Sequence, residues 1–175
     1  MLGYVTGGER GAADLLLADV AAALRRQGVV LAGVVQVNEE FNPARPCHMD
    51  LHVLSGAEVV RISQNLGALS KGCRLDPSGL EQAVGLVARA LEAGPGLSPE
   101  LLIINKYGKQ EVDGRGFRPL IGQALAAGVP VLTSVNSANQ AAFDQFAEGM
   151  AMPLACSTEA VMQFCRDHVA GGKAL

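Results

Sequence analysis

Residues 4–14 read Tyr4-Val5-Thr6-Gly7-Gly8-Glu9-Arg10-Gly11-Ala12-Ala13-Asp14. A short apolar strand leads here into a glycine-rich turn and then into the first residues of a helix. This order is typical of a phosphate-binding loop, in which backbone N–H groups and the positive end of the helix hold an anion. The stretch therefore predicts an α/β protein with an anion site at the end of its first strand.

The side chains that an ATP-hydrolysing loop requires are absent from this turn. The pattern G-x-x-x-x-G-K-[ST] needs a lysine for the β- and γ-phosphates and a hydroxyl for magnesium. Aligned on Gly7, the second glycine position holds Ala12, the lysine position Ala13 and the hydroxyl position Asp14. The turn therefore argues against ordinary nucleotide hydrolysis. Its other interpretation is a plain strand-to-helix connection, in which glycine supplies a positive φ.

Composition restricts the class of protein. The chain has 175 residues, of which 49% are hydrophobic and 18% charged, so we expect a single globular domain over residues 1–175. A net charge of −3 gives no electrostatic reason to bind nucleic acid or an anionic membrane. No run of eighteen apolar residues or export signal is present, so membrane insertion is not expected. The four scattered cysteines then fit a reducing cytoplasm.

Strand and helix signals alternate along the chain, which indicates an α/β sheet. Apolar, β-branched runs predict buried strands, and helical spacing of apolar residues predicts the helices between them. The resulting fold class is a mostly parallel sheet with helices on both faces, like that of phosphate-loop nucleoside-triphosphatases, plus an antiparallel β-hairpin. The predicted strands are 2–6, 29–37, 101–105, 129–135 and 151–155, the hairpin is 49–54 with 59–63, and the helices are 12–27, 77–92, 117–127, 139–148 and 157–169.

Polar residues follow four of the predicted strands. In open parallel sheets, ligands bind at the carboxyl ends of the strands, so these residues should share one edge. Asn105 and Lys106 stand where a phosphate-loop protein carries its magnesium-binding and water-activating acids. An amide and an ammonium at this place suit an anionic ligand better than a metal. The other interpretation of Lys106 is a solvated side chain.

Ten residues follow as candidate ligand contacts, and none is assigned a catalytic role. Arg10 and Arg74 would supply positive charge to the ligand. The alternative for Arg10 is a solvated side chain. The alternative for Arg74 is a loop without a ligand that only precedes a helix capped by Asp76 or Ser78. The negative charge of Asp14 is stabilised by the helix dipole but would repel a phosphate bound beside it. Alternatively, Asp14 holds a magnesium ion through water, so the role of Mg²⁺ stays open. The candidates are Gly7, Gly8, Glu9, Arg10, Gly11, Ala12, Asp14, Arg74, Asn105 and Lys106.

The cysteines and histidines do not predict a metal site. Structural zinc takes four ligands, usually in paired short spacings. Cys47 and His48 are adjacent and would point to opposite faces of a strand, while Cys73 lies far along the chain. We interpret His48 and His52 as part of a surface strand face.

Five segments together resemble one bacterial family, the domain-of-unknown-function family DUF2478. They are residues 3–5 with the glycine turn, CHMDL at 47–51, GCRLDP at 72–77, LIINKYGK at 102–109 and PVLT at 130–133. Members of that family are sometimes encoded beside molybdate-transport genes, so the resemblance implies a link to molybdate transport or homeostasis. The order of elements is also similar to that of the THEP-type nucleoside-triphosphatases.

Two classes of function remain at this point. The first is a protein that binds a nucleotide or a tetrahedral oxyanion such as phosphate, molybdate or tungstate. The second is a divergent nucleoside-triphosphatase or phosphotransferase. In either case the partner is a small anionic ligand, and a homo-oligomer or a transporter-associated partner stays open.

Overall fold

The computed structural model describes residues 1–7, 11–39, 48–64, 75–94 and 97–169. Within these ranges the strands are β1 (Leu2–Thr6), β2 (Leu31–Glu39), β3 (His48–Val53), β4 (Val59–Arg61), β5 (Leu101–Tyr107), β6 (Val131–Val135) and β7 (Ala151–Leu154). The α-helices are α1 (Ala12–Arg26), α2 (Pro77–Leu91), α3 (Lys109–Val112), α4 (Arg118–Ala126), α5 (Gln140–Ala147) and α6 (Thr158–His168), and a 3₁₀ turn at Ser137–Asn139 precedes α5.

All seven strands form one sheet in the order β4-β3-β2-β5-β6-β1-β7. The five strands from β2 to β7 in that order are parallel. β3 pairs antiparallel with β2, and β4 pairs antiparallel with β3. The predicted α/β fold, a mostly parallel sheet with an antiparallel hairpin, is confirmed.

Helices cover both faces of the sheet, which explains why its central strands are apolar throughout. α1 and α6 pack on one face, where Val20, Leu24 and Phe164 join one buried cluster. The other face carries α2, α4 and α5. Because both faces are covered, all five residues of β6 are buried, as is usual for parallel strands. Among the described residues, no helix is long and apolar enough to cross a membrane.

The connections after β1 and β6 run to opposite faces of the sheet. β1 leads into α1 on one face, whereas β6 leads through the 3₁₀ turn into α5 on the other. β1 and β6 are neighbours in the sheet. A crevice opens at the carboxyl ends of neighbouring strands whose connections diverge in this way, and it is the usual ligand site of open α/β sheets.

Several predicted strand boundaries differ from the observed ones: β2 covers Leu31–Glu39 where 29–37 was predicted, and the strand predicted at 101–105 continues to Tyr107, which is fully buried. The segment after β5 contains the short helix α3, whose Glu111 is also buried. Its carboxylate accepts hydrogen bonds from the backbone N–H groups of Gly108 and Phe117, both at 2.9 Å. The carboxylate of Glu111 thereby connects the backbone before α3 with the residue before α4.

Candidate functional site

A cleft of about 870 Å³ opens at the carboxyl ends of β1 and β6. Its volume is within the usual range for small-molecule sites. Gly7, directly after β1, and the start of α1 form one wall, and the residues after β6 with the first turns of α5 form another. The polar side chains that line it are Tyr4, Thr6, Asp14, Lys106, Ser134, Asn136, Ser137, Gln140 and Asp144.

Two glycines shape the wall at the start of α1. Gly7 has φ 79° and Gly11 has φ 87°, a region that residues with a side chain rarely adopt. No atom lies within 4 Å of the position that a Cβ would take at either residue. Glycine is therefore favoured here by the positive φ and not by a lack of space for a side chain. Gly11 is the N-cap of α1 and provides no side-chain cap. The first N–H groups of α1 therefore have no side-chain acceptor on their N-cap residue to which they could donate.

Asp14 joins three elements at the end of the sheet. It lies in the first turn of α1 and is 7% exposed. Its Oδ2 accepts a hydrogen bond from Lys106 Nζ at 3.2 Å and from Asn38 Nδ2 at 3.4 Å. Asn38 Oδ1 in turn accepts from Gln36 Nε2 at 2.8 Å. The ammonium at the end of β5 is thus already paired with a carboxylate of the protein.

Asn105 lies behind the wall of the cleft and not in it. It is buried, and its Oδ1 accepts a hydrogen bond from Ser134 Oγ at 3.1 Å. Ser134 lines the cleft. The Nδ2 of Asn105 is buried and has no partner among the described residues. Asn105 therefore supports the cleft through Ser134.

Comparisons with known proteins give the family. The family described as "Protein of unknown function (DUF2478)" matches residues 2–164. The chain belongs to this family.

One curated relative of this DUF2478 chain is Molybdenum import ATP-binding protein ModC 2 of Bradyrhizobium diazoefficiens. The two are 36% identical over 154 residues, which are 88% of this chain and 17% of that protein. The chain thus spans only a small part of the length of the relative. No solved structure gives a significant match.

The fold brings several predicted site residues of this DUF2478 chain together. Gly7, Gly11, Asp14 and Lys106 all line the cleft. Ala12 is the first residue of α1, next to the lining residue Ala13. The remaining candidates, Gly8, Glu9, Arg10 and Arg74, lie outside the described residues. Contact between these ten residues and a ligand stays a prediction.

The polar residues that end β6 were expected at this edge of the sheet, but no residue of the far wall was among the ten candidate ligand contacts. Asn136 and Ser137 follow β6 directly, so polar residues after an apolar strand were the available signal. Gln140 and Asp144 are one turn apart on α5, and Gln140 Nε2 donates to Asp144 Oδ1 at 2.7 Å. Such a pair is common on any exposed helix face, so its spacing does not indicate a site.

The histidine-bearing strand face is engaged in an ion pair. Asp50 Oδ1 and Oδ2 accept hydrogen bonds from Arg61 Nε and Nη2 at 2.9 and 3.0 Å. The hydrogen bond from Arg61 holds the pKa of Asp50 below its usual value. Within the described residues, no three His, Cys, Asp or Glu side chains form a group that could hold a metal ion. Cys47 and Cys73 lie outside those residues.

Proposed function

We propose that this protein binds a nucleotide or a tetrahedral oxyanion in the cleft between β1 and β6. The observation that carries the proposal is the position of the cleft. It lies at the carboxyl ends of two neighbouring strands whose connections diverge, beside the glycine turn that opens α1. The uncapped N–H groups and the positive end of α1 favour an anion at this place.

The charges of the cleft determine how an anion would be held. Its described lining has two carboxylates, Asp14 and Asp144, and one ammonium, Lys106. Backbone N–H groups must then contribute much of the attraction, and the predicted contacts from Arg10 and Arg74 would add the missing positive charge. Lys106 is the cation of the described lining, so its loss should weaken binding most among the described cations.

We do not extend the proposal to hydrolysis. Ala13 replaces the lysine that neutralises charge on the transferred phosphoryl group, and Asn105 replaces an acid. Without these groups, the charge that develops in the transition state is not stabilised. The divergent triphosphatase or phosphotransferase therefore remains the weaker alternative.

The biological setting that we propose is molybdate transport. The name of the curated relative describes a molybdenum import ATP-binding protein, and this chain matches only 17% of it. Because the ATP-hydrolysing pattern is absent from this chain, we propose that it corresponds to a ligand-binding module that accompanies a transport ATPase. A partnership with such an ATPase is part of this proposal.

Isothermal titration calorimetry on the purified chain tests the proposal, with ATP, ADP, molybdate and phosphate, each with and without Mg²⁺. A charge-assisted contact is worth roughly 1.5–3 kcal/mol, so Lys106→Ala should weaken binding by about 10- to 100-fold. Arg115→Ala is the matched control, because that guanidinium is exposed and pairs with Asp113 away from the cleft. Equal affinities for Lys106→Ala and the wild type would show that the ligand does not bind here.

A further inference from the structure

We infer that Asp14 sets the class of ligand that the cleft accepts, so that a nucleotide binds and a single tetrahedral oxyanion does not. The inference rests on the proposed function and chooses between its two ligand classes. It starts from one observation: the place beside the first turn of α1 already holds a negative charge of the protein's own.

The geometry of Asp14 is that of an internal anion. Its carboxylate lies in the first turn of α1, where the helix dipole stabilises negative charge. It is nearly buried, and its Oδ2 accepts the hydrogen bond from Lys106 Nζ at 3.2 Å. The ammonium that would attract a phosphate is therefore already paired with this carboxylate, and the positive end of α1 already acts on a negative charge of the protein.

A single oxyanion gains little by entering this site. It must share the field of α1 with Asp14, and two negative charges a few ångströms apart repel. To contact Lys106 it must compete with a carboxylate that is attached to the same molecule and so never diffuses away. Binding of phosphate or molybdate would only replace one anionic partner of Lys106, Asp14, by another, and the small ion would make few other contacts.

A nucleotide brings contacts that a single oxyanion lacks. The cleft of about 870 Å³ extends from Asp14 to the far wall of β6 and α5. That wall presents uncharged donors and acceptors from Asn136, Ser137 and Gln140 together with the carboxylate of Asp144, and the ring of Tyr4 also lines the cleft. A nucleoside fits the volume and chemistry of this wall, and its contacts would offset the repulsion between its phosphates and Asp14.

The test compares three probes by isothermal titration calorimetry on the wild type and on Asp14→Asn, which removes the charge at nearly constant shape. The probes are molybdate, ATP and adenosine. The wild type should bind ATP at least tenfold more tightly than molybdate. Asp14→Asn should tighten molybdate and ATP at least tenfold and leave adenosine within twofold, because adenosine has no phosphate to be repelled.

Asp19→Asn is the matched control. Asp19 is an exposed residue of α1 outside the cleft lining, so the variant removes the same charge from the same helix. It should change molybdate affinity by less than twofold. Circular dichroism checks that each variant is folded, and Asp14→Ala serves as a second variant if Asp14→Asn is not.

Three results would overturn the inference. In the first, wild-type protein binds molybdate as tightly as ATP; the cleft is then an oxyanion site, and the proposed function stands while the inference fails. In the second, molybdate affinity is unchanged by Asp14→Asn, or Asp19→Asn raises it equally, and Asp14 has no special role. In the third, no probe binds any variant, and the proposed function fails as well.

Discussion

Replacing Glu111 by alanine tests the contact that holds the segment after Lys106 in place. Glu111 is 3% exposed, and its two oxygens accept hydrogen bonds from the N–H groups of Gly108 and Phe117 at 2.9 Å each. The first bond fixes the backbone two residues beyond Lys106, and the second fixes the residue before α4. Removal of the carboxylate leaves both donors without this acceptor.

The expected loss follows from the two donors. A buried donor left without a partner costs about 1–3 kcal/mol; the N–H of Phe117 is buried and that of Gly108 is part-buried, so the second costs less. The gain from no longer burying a carboxylate offsets part of this, since burial raises the pKa of Glu111 and so disfavours its charged form. We therefore expect Glu111→Ala to lower the free energy of unfolding by about 2–4 kcal/mol.

Urea unfolding followed by far-ultraviolet circular dichroism measures this change, because the chain has no tryptophan for fluorescence. The midpoint should fall while the dependence on urea stays the same. Asp113→Ala is the control on the same turn, because its ion pair with Arg115 is exposed and should contribute at most about 1 kcal/mol. A loss below about 0.5 kcal/mol for Glu111→Ala would refute the role of its carboxylate.

The pH dependence gives a second measurement on the same residue. Because burial raises the pKa of Glu111 above its usual value of 4.5, the folded state binds this proton more tightly than the unfolded state. The stability of the wild type relative to Glu111→Gln should therefore decline as the pH rises from below 4.5 through the raised pKa, and then level off. A relative stability that rises with pH in that window contradicts the burial of an ionisable carboxyl.

Two further stability predictions concern Tyr107 and Asp50. Tyr107→Phe should stabilise the protein by about 1 kcal/mol, because the buried hydroxyl has no partner among the described residues. The ring contact with Phe143, at 5.1 Å between centroids, remains in the variant. A lower urea midpoint for Tyr107→Phe would contradict this prediction. Asp50→Asn should lower stability at pH 7 by about 1 kcal/mol, because its partner Arg61 is half exposed. Since Arg61 lowers the pKa of Asp50, the difference should disappear as the pH falls from the usual value of 3.8 through the lowered pKa, and a difference that persists below both values would contradict the ion pair.

The sequence by itself determined the class of fold and the position of one wall of the site. Buried parallel strands must be apolar along their whole length, and helices repeat with a period of 3.6 residues, so both leave local signals. The sequence also predicts the turn that begins at Gly7 and ends at Gly11, because a positive φ between a strand and a helix favours glycine. The absence of the hydrolytic lysine at Ala13 was equally visible in the sequence.

Only the tertiary structure decided which side chains meet. Asp14 and Lys106 are 92 residues apart, and no local pattern shows that their charges cancel. The order of strands places β6 beside β1, and for this reason Asn136 and Gln140 lie in the far wall of the cleft. Interactions of this kind depend on long-range packing, whereas sequence periodicity records only which face of each element is covered.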